Sequence, residues 1–113
     1  MGATLTAYRA IVWRVLEGHA AIPLGAGTAT SFVVFDPHLD RFLLVTVGWQ
    51  GGRRIHSTAA HIALADDKVW IEHDGLPPPG LATELIEAGI PKTAVVLAFQ
   101  TPYAHSSQDV ALS

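Results

Sequence analysis

Two histidines and a carboxylate, His61, His73 and Asp74, are the residues of this chain with the plainest capacity for chemistry. Such a set can hold zinc or iron and leave one coordination position open for water. To do so the three must converge, and both histidines fall in strand-like stretches, where successive side chains point to opposite faces. If the intervening turn pairs Leu64 with Val69, His61 and His73 lie on opposite faces of a hairpin. A turn one residue longer brings them together. The spacing follows no regular metal motif. The expectation is therefore a partly buried His61, a turn capped by Asp74 and Gly75, and no metal.

Other reactive arrangements are weaker. Ser57 and Ser106 each follow a histidine, but adjacent residues on a strand diverge, and no Gly-x-Ser-x-Gly elbow exposes a nucleophile. Asp66 and Asp67 form a carboxylate pair at a hairpin tip, where solvation accounts for them. Gly25 and Gly27 suggest a phosphate loop, yet Thr30 stands where the dinucleotide fingerprint has its third glycine, and no strand precedes them. The absence of cysteine excludes disulfides, thiolate nucleophiles and Cys-based zinc sites. Neither catalytic residues nor a cofactor are expected.

The remaining candidates are residues that bind. Arg53 and Arg54 follow Gly51-Gly52 and could contact phosphate or an acidic partner; the alternative is a solvated pair beside a turn. Trp49 and Trp70 are of a type that dominates protein interfaces, although ordinary packing also uses tryptophan. With His61 and Asp74 they make up the partner-binding candidates.

These residues need a scaffold, and 113 residues with half of them hydrophobic suit one domain spanning the chain. Charged residues are only 15%, below the roughly 25% usual for globular proteins, which suggests a surface covered by something else. Ten acidic residues against seven basic ones do not suit a protein living on the DNA backbone. No apolar run approaches the ~18 residues of a membrane span, and no signal peptide is visible; a cytoplasmic protein is expected.

Leu5, Tyr8, Val12, Val15 and Leu16 recur at helical spacing, with Gly18 as the stop. Strands follow at 31–35, 42–49, 54–64 and 68–73, punctuated by Asp36-Pro37 and Asp66-Asp67. Leu81, Leu85 and Ile86 stripe a second helix ended by Gly89, and 94–99 is a final strand before a polar tail. The order is that of an α+β domain with a hairpin-rich antiparallel sheet of about five strands. In the second strand Leu43, Val45, Val47 and Trp49 fill one face, and Phe42, Leu44 and Thr46 the other. Two short helices can cover only one face of such a sheet, so the second predicts a homo-oligomer or an obligate partner.

The stretch "LLVTVGWQGGRRIHSTAAHIALADDKVWIEHDG" resembles the signature of the XisI family, the fdxN-element excision controlling factors. The matching positions are Val47-Gly48-Trp49, Arg53-Arg54, His61-Ile62, Lys68-Val69-Trp70-Ile71 and Asp74-Gly75. Gly80-Leu81-Ala82, Glu84-Leu85, Gly89-Ile90-Pro91-Lys92, Val95-Val96-Leu97, Phe99 and Pro102-Tyr103 continue the likeness. Ala63 stands where the family has Asp, and Leu76 with the following prolines replaces its Thr-Glu. The resemblance implies a small α+β cytoplasmic protein, typical of cyanobacteria, tied to programmed excision of a DNA element by a serine recombinase and acting beside a XisH-like protein. It carries over no catalytic residue. A non-catalytic adaptor that binds a XisH-like partner, and touches DNA only indirectly, is the reading that fits both lines. An antitoxin-like inhibitor of a nuclease-fold partner is the alternative, followed by a small metal-dependent enzyme.

Overall fold

The computed structural model describes residues 2–24 and 27–100. Helix α1 (Gly2–Ala20) leads into strands β1 (Thr30–Asp36), β2 (Arg41–Gln50), β3 (Arg53–Ala65) and β4 (Lys68–Asp74). Helix α2 (Leu81–Glu87) and a 3-10 turn (Lys92–Ala94) precede β5 (Val95–Leu97). The strands lie side by side in sequence order. The expected tail beyond Pro102, with Tyr103 and Ser106, lies outside the described residues, as does Gly25.

The first four strands are joined by tight turns. Asp36 starts one by accepting the backbone N–H groups of His38 and Leu39 on Oδ1. Gly51-Gly52 and Asp66-Asp67 form the two-residue loops, all four with positive φ, the geometry whose twist matches that of the flanking strands. The sheet is mixed rather than wholly antiparallel: β5 runs parallel to β4. A strand reached through a helical crossover rather than a hairpin can return in the same direction, and α2 supplies that crossover.

Two boundaries differ from expectation. Helix α1 continues through Gly18 to Ala20: a helical glycine costs only about 1 kcal/mol, and beyond it His19 Nε2 meets Glu84 Oε1 of α2 at 2.7 Å and Ala20 packs against the core. Strand β5 is shorter than 94–99, since Ala94 closes the 3-10 turn and the chain turns again after Leu97.

Both helices pack on one side of the sheet. Val12 and Leu16 of α1 and Leu81 and Leu85 of α2 meet Phe42, Leu44, Ile62, Leu64, Val69 and Ile71 in one buried cluster. The pairing Leu64–Val69 sets this register, and by alternation it sends the intervening residues to the other side. Phe35 stacks on Phe42 at 4.4 Å between ring centroids, and Trp13 meets Phe42 edge-on. The other side of the sheet carries neither helix. Among the described residues, no helix is long and apolar enough to cross a membrane.

Candidate functional site: the open face of the sheet

Cross-strand pairing defines what the open face displays. One row across the sheet runs Asp36, Arg41, Ala63, Trp70 and Val96; the next runs Val34, Leu43, His61 and His73. Phe32, Val45 and Thr58 follow, then Val47 with His56, then Trp49 with Arg54. Apolar side chains therefore dominate β1 and β2, while imidazoles, hydroxyls and charges gather on β3 and β4. Phe32 is 45% exposed, Val34 41% and Trp49 52%.

Trp49 is held from behind. Gly48 has φ +141°, and a Cβ there would lie 2.4 Å from the Cα of Ala29. That contact is possible only for glycine, and it lets residues 28–29 lie against the strand. Thr28 then donates its N–H to the Trp49 carbonyl (2.9 Å) and accepts the Trp49 N–H on Oγ1 (3.2 Å). With the backbone fixed, the indole faces out, and the Arg54 guanidinium sits 5.6 Å from its ring centroid. Such stacking leaves the guanidinium edge available to an acidic group. Arg53 is exposed and pairs with Gln50, so alternation puts it on the side away from Arg54.

Trp70 is half-buried in the opposite end row, its Nε1–H donated to the Ala65 carbonyl at 2.9 Å. The indole is thus tied down and presents an edge to the same face as Trp49. Arg41 Nη1 donates to His61 Nε2 at 3.0 Å and lies 3.9 Å from Glu72. Since arginine only donates, His61 is a neutral imidazole with its proton on Nδ1. Burial lowers its pKa, and Arg41 and His73 push in the same direction against the opposing charge of Glu72.

The sequence left open whether His61 and His73 meet, and the strand pairing brings them together by a route other than a longer turn. The turn pairs Leu64 with Val69 as expected, but Glu72 is an extra residue in β4, so that His61 stands opposite His73. A bulge shifts by one every residue beyond it, and nothing in the local composition announces this one. The same shift sends Asp74 to the helix side, paired with buried Ala60. There its carboxylate accepts the Leu76 N–H on Oδ1 (3.1 Å) and the first amide of α2, Leu81 N–H, on Oδ2 (2.9 Å). The histidines meet and Asp74 leaves them. Among the described residues, no three histidine, aspartate or glutamate side chains are grouped to hold a metal ion.

Of the partner-binding candidates, Trp49, Arg54, His61 and Trp70 therefore share one face, while Arg53 and Asp74 lie off it. Reasoning on sequence missed Phe32, Val34 and Arg41 there. The signal was the run Phe32-Val33-Val34-Phe35, apolar on both faces of a strand. On the helix side, a cleft of about 280 Å3 opens between α1, the sheet and Leu76-Pro77, with Ser31 Oγ and Thr46 Oγ1 in mutual hydrogen bond (2.8 Å) on its wall.

Comparison with known proteins bears on this architecture. A crystal structure of a XisI-like protein from Anabaena variabilis superposes with a TM-score of 0.80 at 27% identity, covering 96% of this chain and 99% of that one. The fdxN element excision controlling factor XisI from the same organism gives 0.70 at 26% identity, covering 88% and 95%. No curated protein matches the chain. The family described as XisI protein matches residues 2–112, virtually the whole sequence, and the chain belongs to the XisI family.

Proposed function

We propose that this chain is a non-catalytic accessory of a DNA-excision system, working in the cytoplasm by binding a XisH-like protein across its open sheet face. The observation that carries the reading is that face itself. Phe32, Val34 and Trp49 are exposed there beside half-buried Leu43, Val45, Val47 and Trp70, and contiguous apolar surface of this kind marks an interaction site. Its aromatic ends and the stacked Arg54 are of the types that dominate interface energetics. An association with DNA through the recombinase system, rather than directly, suits a net charge of −3. The excision-controlling role of the Anabaena XisI supplies the biological setting.

The test is titration of the purified chain with the XisH-like protein of its own genome, followed by calorimetry and light scattering. A stable mixed complex is expected, and Trp49→Ala and Arg54→Ala each weaken it at least ~10-fold, the effect of losing about 1.4 kcal/mol of binding. Full affinity in both variants would place the contact elsewhere and defeat the reading. If the partner proves to be a nuclease that the complex silences, the control is inhibitory, as an antitoxin-like protein would exert it.

A further inference from the structure

The two edges of the sheet are treated differently. Strand β5 closes one edge with only three residues, a length that offers little template to another strand. Strand β1 closes the other with seven residues, Thr-Ser-Phe-Val-Val-Phe-Asp. Its inner edge pairs with β2 along its whole length. Among the described residues its outer edge makes no backbone hydrogen bond.

Natural proteins guard such edges with lysine, proline, a bulge or a covering loop. None of the first three is present in β1, whose pairing with β2 is regular from Thr30 to Asp36. Its single charge, Asp36, stands at the end. Phe32 and Val34 project from the open face and are 45% and 41% exposed. On the helix side the same border holds an open cleft of about 250 Å3 lined by Arg9, Ala10, Trp13, Phe35 and Phe42, with Trp13 41% exposed.

We propose that β1 is a homodimer seam, pairing antiparallel with β1 of a second copy about a two-fold axis through Val33, so that two five-stranded sheets join into one. The sequence of the strand is self-complementary in this register. Phe32 of each copy faces Val34 of the other, Ser31 faces Phe35, and Asp36 faces Thr30. Like charges never meet, because the only charge lies opposite a threonine. Four exposed large apolar side chains leave water together, and the unpaired amides and carbonyls of both edges find partners. A continuous sheet also keeps the two open faces on the same side, since the axis is perpendicular to the sheet. The seam shares Phe32 and Val34 with the open face, but Trp49 and Arg54 lie on β2 and β3 away from the β1 edge. Loss of the XisH-like contact in their variants and loss of the dimer in the Phe32 and Val34 variants are therefore read separately.

Light scattering on the full chain at on the order of 0.1 mM tests this, with Phe32→Glu, Val34→Lys and the double variant carrying both. The wild type is expected at twice the 12.0 kDa chain mass. Each single variant places a charge against an apolar side chain at the seam, and is expected to be monomeric with an unchanged far-UV circular dichroism spectrum. In the double variant the introduced carboxylate of each copy faces the introduced ammonium of the other across the axis, so dimerisation returns. A monomeric wild type overturns the proposal, as does a dimer that survives both single variants or a double variant that stays monomeric. Hydrogen exchange of the β1 amides in the wild type decides the matter if the variants misfold. Protection that rises with protein concentration supports the seam. Protection independent of concentration means that another segment of the same chain, such as residues 101–113, covers the edge, and the seam is refuted.

Discussion

Asp74 offers the sharpest separation of chemistry from architecture. Its two carboxylate oxygens accept the N–H groups of Leu76 and Leu81, so it fastens the exit of β4 to the start of α2. Gly80, the residue before the helix, has no side chain to cap it. Replacing Asp74 with alanine strands both amides. A hydrogen bond to a charged acceptor contributes ~1.5–3 kcal/mol, and losing a helix cap costs ~0.5–2 kcal/mol. Because the site is only part-buried, water recovers some of this, and about 2 kcal/mol of lost stability is expected. For a domain of this size that lowers Tm by roughly 8 °C or more. Asp74→Asn keeps one acceptor oxygen and should lose about half as much. Thermal and urea melts followed by circular dichroism read both values. A Tm within about 2 °C of wild type for the alanine variant would refute the capping role. So would an Asn variant that melts normally yet fails to bind a XisH-like protein that the wild type binds, since that result returns Asp74 to a direct contact.

Other perturbations follow the same logic. Gly48→Ala forces a Cβ to 2.4 Å from the Ala29 Cα at φ +141°; a loss above ~3 kcal/mol is expected, read as a collapsed urea midpoint, and a near-native midpoint would contradict the close approach. Asp67→Gly should raise stability by ~0.5–1 kcal/mol in the same assay, because Asp67 holds φ +58° in a turn that glycine adopts without strain. His61 has its pKa lowered by burial, with Arg41 and His73 adding to the shift and Glu72 opposing it. Its contribution to stability is thus fully present above the ordinary value near 6.5 and is lost as pH falls from there through the lowered folded value. Urea midpoints between pH 8 and 5 should decline less steeply in His61→Gln than in wild type; identical slopes would show that His61 is not linked to folding.

Much of this molecule was legible in its sequence because local rules are short-ranged. The 3.6-residue recurrence of Leu5, Tyr8, Val12, Val15 and Leu16 became the buried stripe of α1, and period-two alternation sorted β2 into a buried face with Phe42 and Leu44. Asp66-Asp67 marked a two-residue turn, and that turn fixed Leu64 against Val69. The two helices cover one sheet face, since α1 and α2 share a single core. These features rest on residues within a few positions of one another.

Long-range pairing governed the rest. The extra residue Glu72 moved His73 opposite His61 and turned Asp74 towards α2, so a candidate triad became a histidine pair and a helix cap. A one-residue slip exchanges the faces of a strand, and no periodicity reports where pairing with a distant neighbour will slip. The direction of β5 depended on how the chain crossed back over the sheet. The seat of Trp49 depended on Gly48 admitting the backbone of Ala29, about twenty residues earlier. Which elements form, and which of their faces are apolar, are properties of local geometry and hydration, and the order of residue types carries both. Which side chains meet was left to pairings between strands, where one unpaired residue changes every contact that follows.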